Sequence, residues 1–213
     1  MAKKNKFNQS WVSRHVNDHY VNLAQKEGYR SRAAYKLLEI DDKDHILKDV
    51  ACVVDLGCAP GSWSQVVVQK IMHKNKNGVV IGVDLLEIDH ISNMNFIQGD
   101  FTQEDVYNKL IETLNGRIVD LIISDIAPNL SGIRGVDQAK MAYLVELVFD
   151  FAVNYLRDGG NALIKVFQGG EFENLIKMAR NIFTDVQIKK PLASRSESKE
   201  MYLLCKNKRL INK

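Results

Sequence analysis

From Ala51 onward the chain alternates short runs of β-branched apolar residues with longer stretches of helical periodicity, the pattern of a parallel sheet covered on both faces. The apolar runs predict strands over Cys52–Leu56, Val79–Val83, Asn95–Ile97, Val119–Ser124, Ala162–Phe167, Val186–Lys189 and Met201–Cys205. Helices are predicted between them, over Ser62–Met72, Gln103–Leu114, Val136–Leu156 and Phe172–Ile182, with Gly78, Gly116 and Gly159-Gly160 closing helices or making turns. Ahead of Ala51 the pattern changes to one or two amphipathic helices, with Arg30, Arg32 and Lys36 close together, packed on the sheet as an extension. Residues 1–10 and 207–213 read as frayed ends. The expected architecture is one α/β domain of Rossmann-like type, with a mostly parallel seven-stranded sheet, an antiparallel last strand and helices on both faces. Residues 1–50 form the basic helical extension, 51–206 the core and 207–213 a basic tail.

Composition narrows the class. A chain of 213 residues that is 46% hydrophobic and 26% charged can bury one substantial core. No apolar run approaches the roughly 18 residues of a membrane span, and the start, Met1-Ala2-Lys3-Lys4-Asn5-Lys6, lacks the apolar run of a signal peptide, so the expected location is the cytoplasm. Cys52, Cys58 and Cys205 are unevenly spaced and read as packed thiols rather than a disulfide framework or a zinc site. His15 and His19 stand four apart without suitable acids, which favours surface or RNA contacts over metal.

The net charge of +3 conceals a division. Residues 1–36 hold eight Lys/Arg against two acids, residues 177–213 hold ten against three, and the middle holds eleven against twenty-one. Such ends either solubilise the chain or, folded onto one face, bind a polyanion.

The chemistry lies at predicted strand ends. Asp55-Leu56-Gly57-Cys58-Ala59-Pro60-Gly61-Ser62-Trp63-Ser64 is a strand, a glycine-bearing turn and a helix start, without the dinucleotide G-x-G-x-x-G spacing or a P-loop. Small residues at Gly57, Ala59 and Gly61 let a ligand approach the backbone. Asp84 ends the second strand, where a carboxylate can accept ribose hydroxyls, and Asp100 follows the third, suited to an adenine amino group. Asp125 ends the fourth strand, and Lys165 lies within the fifth, between Ile164 and Val166, where an ammonium needs a partner. If the last strand is antiparallel, Glu200 at its start meets Asp125 and Lys165. The segment from Tyr143 to Phe149 reads as an apolar core stripe.

Taken in order, the turn from Asp55 to Ser64, Asp84-Leu85-Leu86, Gln98-Gly99-Asp100-Phe101, Ser124 to Gly132, Lys165-Val166-Phe167-Gln168-Gly169 and Ser194-Arg195 before Glu200 resemble the FtsJ-type (RrmJ-type) ribosomal RNA 2′-O-methyltransferases over roughly residues 12–206. Cys58 and Ser62 stand where alanine and glycine are usual. The resemblance implies a methyltransferase using S-adenosylmethionine, with Gly57, Ala59, Pro60, Gly61, Trp63, Asp84, Asp100 and Asp125 at the cofactor. It further implies a Lys36, Asp125, Lys165, Glu200 tetrad, and Arg32, Lys36 and Arg195 on the RNA. Lys165 is the expected base. The implied substrate is a uridine ribose in large-subunit rRNA, within the assembled subunit, with tRNA as the alternative. The enzyme is expected to act as a monomer, with no metal and no membrane.

Overall fold

The computed structural model describes residues 18–73, 77–195 and 198–210. The reading of residues 1–10 as frayed, and the reading of His15, lie outside these.

Two helices, α1 (His19–Glu27) and α2 (Ala33–Asp44), precede the alternating part, and the Asp18 side chain caps α1 by accepting from the Tyr20 amide. Then follow β1 (Cys52–Leu56), α3 (Ser62–Met72), β2 (Val79–Asp84), β3 (Met94–Gln98), α4 (Glu104–Leu114) and β4 (Val119–Ser124). The chain continues through α5 (Arg134–Tyr155), β5 (Leu156–Phe167), α6 (Phe172–Ile182), β6 (Phe183–Lys189) and β7 (Glu200–Lys208). The seven strands lie in the order β3-β2-β1-β4-β5-β7-β6, with β1 to β5 parallel and β7 antiparallel to both neighbours. The order reverses between β1 and β4, which opens a crevice beyond their carboxyl ends, where such sheets bind ligands.

Alternate strand residues feed opposite cores. On one face α2 and α3 bury Leu37, Trp63 and Val67 against Val53, Leu121, Leu163 and Tyr202. On the other, α4, α5 and α6 bury Leu110, Val145, Phe149 and Ile176 against Val54, Ile122 and Ile164. Cys52, Cys58 and Cys205 are buried free thiols.

Three elements differ from the pattern reading. Gly159-Gly160 does not make a turn: β5 begins at Leu156, ahead of the glycines, and its pairing with β4 shifts register between Val119 and Leu121. A bulge of this kind favours glycine and hides a strand behind loop-like composition. Leu156 correspondingly belongs to β5 and not to the helix before it. At the other end, β7 continues past Cys205 through Asn207 and Lys208, so these two residues are not a frayed tail. Lys208 is buried, and its Nζ donates to the Leu156 carbonyl at 2.7 Å.

Asp55 is a carboxyl wholly buried in the central strand β1. Ser64 Oγ donates to its Oδ2 at 2.5 Å, while Oδ1 has no partner among the described residues. Burial pushes its pKa up to about 7, reinforced by Asp125 and Asp84 and opposed by Ser64. Because the folded value lies above the ordinary carboxyl value of roughly 4, the folded state holds the proton longer than the unfolded chain. This group's stabilisation is therefore complete below pH ~4 and declines as pH rises through about 7. Denaturant titrations across that window should show Asp55→Asn flattening the decline relative to wild type, with the variant gaining most at pH 8. An unchanged slope would show that Asp55 is ionised in the fold throughout.

Candidate active site

A cavity of about 800 Å³ occupies the crevice beyond β1, β2, β3 and β4. Gly57, Ala59, Asp84, Asp100 and Asp125 line it together with apolar walls from Phe101, Ile126 and Leu144. Asp84 is fixed by backbone donors: the Ala59 amide gives 2.8 Å to Oδ2 and the Leu86 amide 2.9 Å to Oδ1. Asp100 Oδ1 accepts from the Thr102 amide at 2.9 Å. Each carboxylate is thus oriented by the turn that follows its strand and keeps acceptor capacity for a ligand. A glycine is required at 57 by the fold itself, since an added Cβ would lie 2.5 Å from Ile126 Cα and the backbone φ is +75°.

Three residues expected at the cofactor, Pro60, Gly61 and Trp63, are not among those that line this cavity. Pro60 is exposed, and its carbonyl accepts from Arg30 at 3.0 Å. Gly61 starts α3 where a Cβ would meet the Arg30 guanidinium at 2.7 Å. The Trp63 indole is only 2% exposed, donates to the Ala33 carbonyl at 2.7 Å and packs on Tyr202, with ring centroids 5.5 Å apart. The helical direction after the turn sends this side chain into the core between α2 and the sheet. Of the expected core stripe, Leu144 is buried and also lines the cavity, whereas Tyr143 lines it half exposed.

At the inner edge of the cavity the four tetrad side chains do come together. Lys165 is 5% exposed; its Nζ donates to the Asp125 carbonyl and lies 3.2 Å from Asp125 Oδ1. Lys36, from α2, bonds Glu200 Oε2 at 3.2 Å. Tyr202, which the sequence reading passed over, joins the two pairs. It is Lys165's cross-strand partner in the β5–β7 register. Its hydroxyl donates to Asp125 Oδ1 at 2.8 Å and accepts from Lys36 Nζ at 3.1 Å. Burial, then the Asp125 and Glu200 carboxylates, raise the tyrosine pKa far above its ordinary value, so this hydroxyl keeps its proton and remains a donor. The available signal was the alternation of β7, which puts Glu200 and Tyr202 on one face.

Two of the arginines ahead of the sheet are committed within the fold. Arg30 donates to the Pro60 and His90 carbonyls, and Arg32 pairs with Asp18 and donates to the Ala193 carbonyl. Burial and then the nearby Arg195 lower the Arg32 pKa, against Glu200, which raises it. Arg195 is exposed.

The geometry is that of a ligand cavity joined to a lysine–carboxylate cluster, and the comparisons agree with it. The family described as FtsJ-like methyltransferase matches residues 29–208. A Methylobacillus flagellatus protein named Ribosomal RNA large subunit methyltransferase E is 51% identical over 202 residues, covering 95% of this chain and 96% of its own. One of the same name from Neisseria gonorrhoeae is 49% identical over 209 residues, covering 98% and 100%. A crystal structure assigned as a ribosomal RNA methyltransferase of Plasmodium falciparum matches with a TM-score of 0.73 at 36% identity, over 84% of this chain and 98% of its own. The resemblance carried by the motifs thus holds over nearly the whole sequence, and the chain belongs to the FtsJ-like methyltransferase family.

Proposed function

We propose that this enzyme transfers a methyl group from S-adenosylmethionine to the 2′-hydroxyl of a uridine ribose in large-subunit ribosomal RNA, acting as a monomer in the cytoplasm on the assembled subunit. The observation that carries the reading is the continuous Lys165–Asp125–Tyr202–Lys36–Glu200 cluster, which begins at the wall of the cavity and ends at the protein surface. The names of the relatives support rRNA over tRNA. Among the described residues no helix is long and apolar enough to cross a membrane.

The cavity suits such a donor, since strand-end carboxylates and apolar walls together match a molecule with ribose hydroxyls, a flat base and a cationic centre. Asp84 would hold the ribose hydroxyls and Asp100 the adenine amino group, with Gly57 and Ala59 against the remainder. When bound, S-adenosylmethionine supplies a methyl already activated by its sulfonium charge. The protein's work is then to align the attacking oxygen and take its proton. Acting as the neutral amine, Lys165 Nζ, which donates to the Asp125 carbonyl and lies 3.2 Å from Asp125 Oδ1, receives the hydroxyl proton through its lone pair, and the Asp125 carboxylate balances the ammonium charge that develops. Lys36 and Glu200 orient the ribose from the other side, and Tyr202 fixes the distance between the two halves.

Labelled donor incubated with large subunits, free rRNA and tRNA in parallel should label the ribose of one uridine in the subunits. Label confined to tRNA would overturn the assignment of substrate. In single turnover at saturating donor, Lys165→Ala should bind the donor normally yet lose about 10²- to 10⁴-fold in rate, and Lys165→Arg should not restore it, because a guanidinium stays protonated. An active arginine variant would show that Lys165 acts only as a fixed charge.

Arg195 is exposed, within electrostatic reach of Arg32, and is assigned to a phosphate. RNA affinity should fall steeply with salt, and Arg195→Ala should reduce the slope of log affinity against log salt by about 1. An unchanged slope would place Arg195 away from the RNA.

A further inference from the structure

Next to the larger cavity is a second hollow of about 260 Å³, bordered by Leu130, Gln138, Phe167, Lys199 and Glu200. Asp125 faces the larger cavity and Glu200 faces this hollow, so the two spaces flank the cluster that holds Lys165. Phe167 and Glu200 are cross-strand partners at the mouth of the β5–β7 pair.

The hollow is built rather than incidental. Asp137 secures the loop that carries Leu130, accepting from the Ser131 amide and hydroxyl at 2.7 Å each and from the Gly132 amide at 3.1 Å. The neighbouring Gln138 has its carbonyl oxygen fixed by the Gly170 amide at 3.2 Å. That bond assigns the other end of the amide: Nε2 is a donor, and it has no acceptor among the described residues. The amide lies directly over Gly169, where an added Cβ would come within 2.1 Å of Nε2. Leu130, 67% exposed, and the half-buried Phe167 offer apolar surface, and Lys199 is a cation on the border.

We propose that this hollow receives the base of the nucleotide whose ribose is methylated, and that Gln138 Nε2 donates to the ring carbonyl that uracil has and cytosine replaces with an amino group. The inference rests on the ribose-methylation reading. In that reading the larger cavity is filled by the donor and the 2′-hydroxyl meets Lys165, so the base, one glycosidic bond away, must lie beside the cluster, where this hollow is. Apolar side chains against a ring face and an oriented amide on its edge are how proteins read an unstacked base. The amide becomes a specificity-determining group because an amino group in place of the carbonyl leaves two donors facing each other.

The test compares large subunits from cells lacking the enzyme, with the mapped target uridine retained or replaced by cytidine. Wild type should favour uridine in kcat/KM by about ten- to a hundredfold. Gln138→Glu keeps the acceptor for the Gly170 amide but removes the donor, and should abolish the preference by raising KM on uridine, with S-adenosylmethionine affinity by calorimetry unchanged. Gly169→Ala, which displaces the same amide, should reproduce the effect. A wild type indifferent to the base, or a Gln138→Glu enzyme with its preference intact, would overturn the base site while leaving ribose methylation standing. A wild type that labels no ribose would overturn the underlying reading, and this inference with it.

Discussion

Asp125 is the group on which the site depends. Its carboxylate receives Tyr202 and faces Lys165, and its carbonyl receives Lys165 as well. A lysine 5% exposed inside a sheet is costly by several kcal/mol unless paired, so Lys165 is tolerable only because Asp125 stands there. Asp125 stands there because β1 and β4 are neighbours at the point where the sheet order reverses: its amide donates to the Leu56 carbonyl at 3.1 Å, and Gly57 alone leaves room for Ile126. The same reversal opens the cavity, so one packing constraint sets both the ligand space and the pairing of Lys165.

The helices before the sheet complete the site rather than decorate it. Lys36 crosses from α2 to Glu200 and Tyr202, and its ammonium lies 5.6 Å from the tyrosine ring centroid. Trp63 packs behind that ring, Ser31 bonds Ser62 at 2.6 Å, and Arg30 ties the turn after β1 to the His90 loop. Among the described residues Arg30, Arg32 and Lys36 are thus held in internal bonds, whereas Arg195 is exposed.

The sequence disclosed the parallel alternation, the four strand-end acids and the odd lysine at 165 because each is a local signal: periodicity, or a polar residue where an apolar one is expected. Gly159-Gly160 misled because a bulge in β5 has the composition of a turn. Lys206 and Lys208 concealed the end of β7, since their ammonium groups are satisfied by Asp44 and the Leu156 carbonyl, partners 162 and 52 residues away in the chain. Tyr202 was missed for a related reason. A buried tyrosine in a strand reads as core, and its hydroxyl acquires meaning only when α2, β4 and β7 converge. For Trp63, a place in a ligand-binding motif says nothing of the direction its side chain takes, which is into the core.

The account stands or falls on whether the two halves of the cluster act as a unit through that hydroxyl. Tyr202→Phe keeps the ring between Trp63 and Lys36 and deletes one oxygen. Measured in single turnover with saturating donor, its rate should fall about 10- to 100-fold, the value of hydrogen bonds to charged partners, with donor affinity unchanged. A variant that transfers methyl at the wild-type rate would mean that Lys165 and Asp125 work without Lys36 and Glu200, and would contradict the linked cluster.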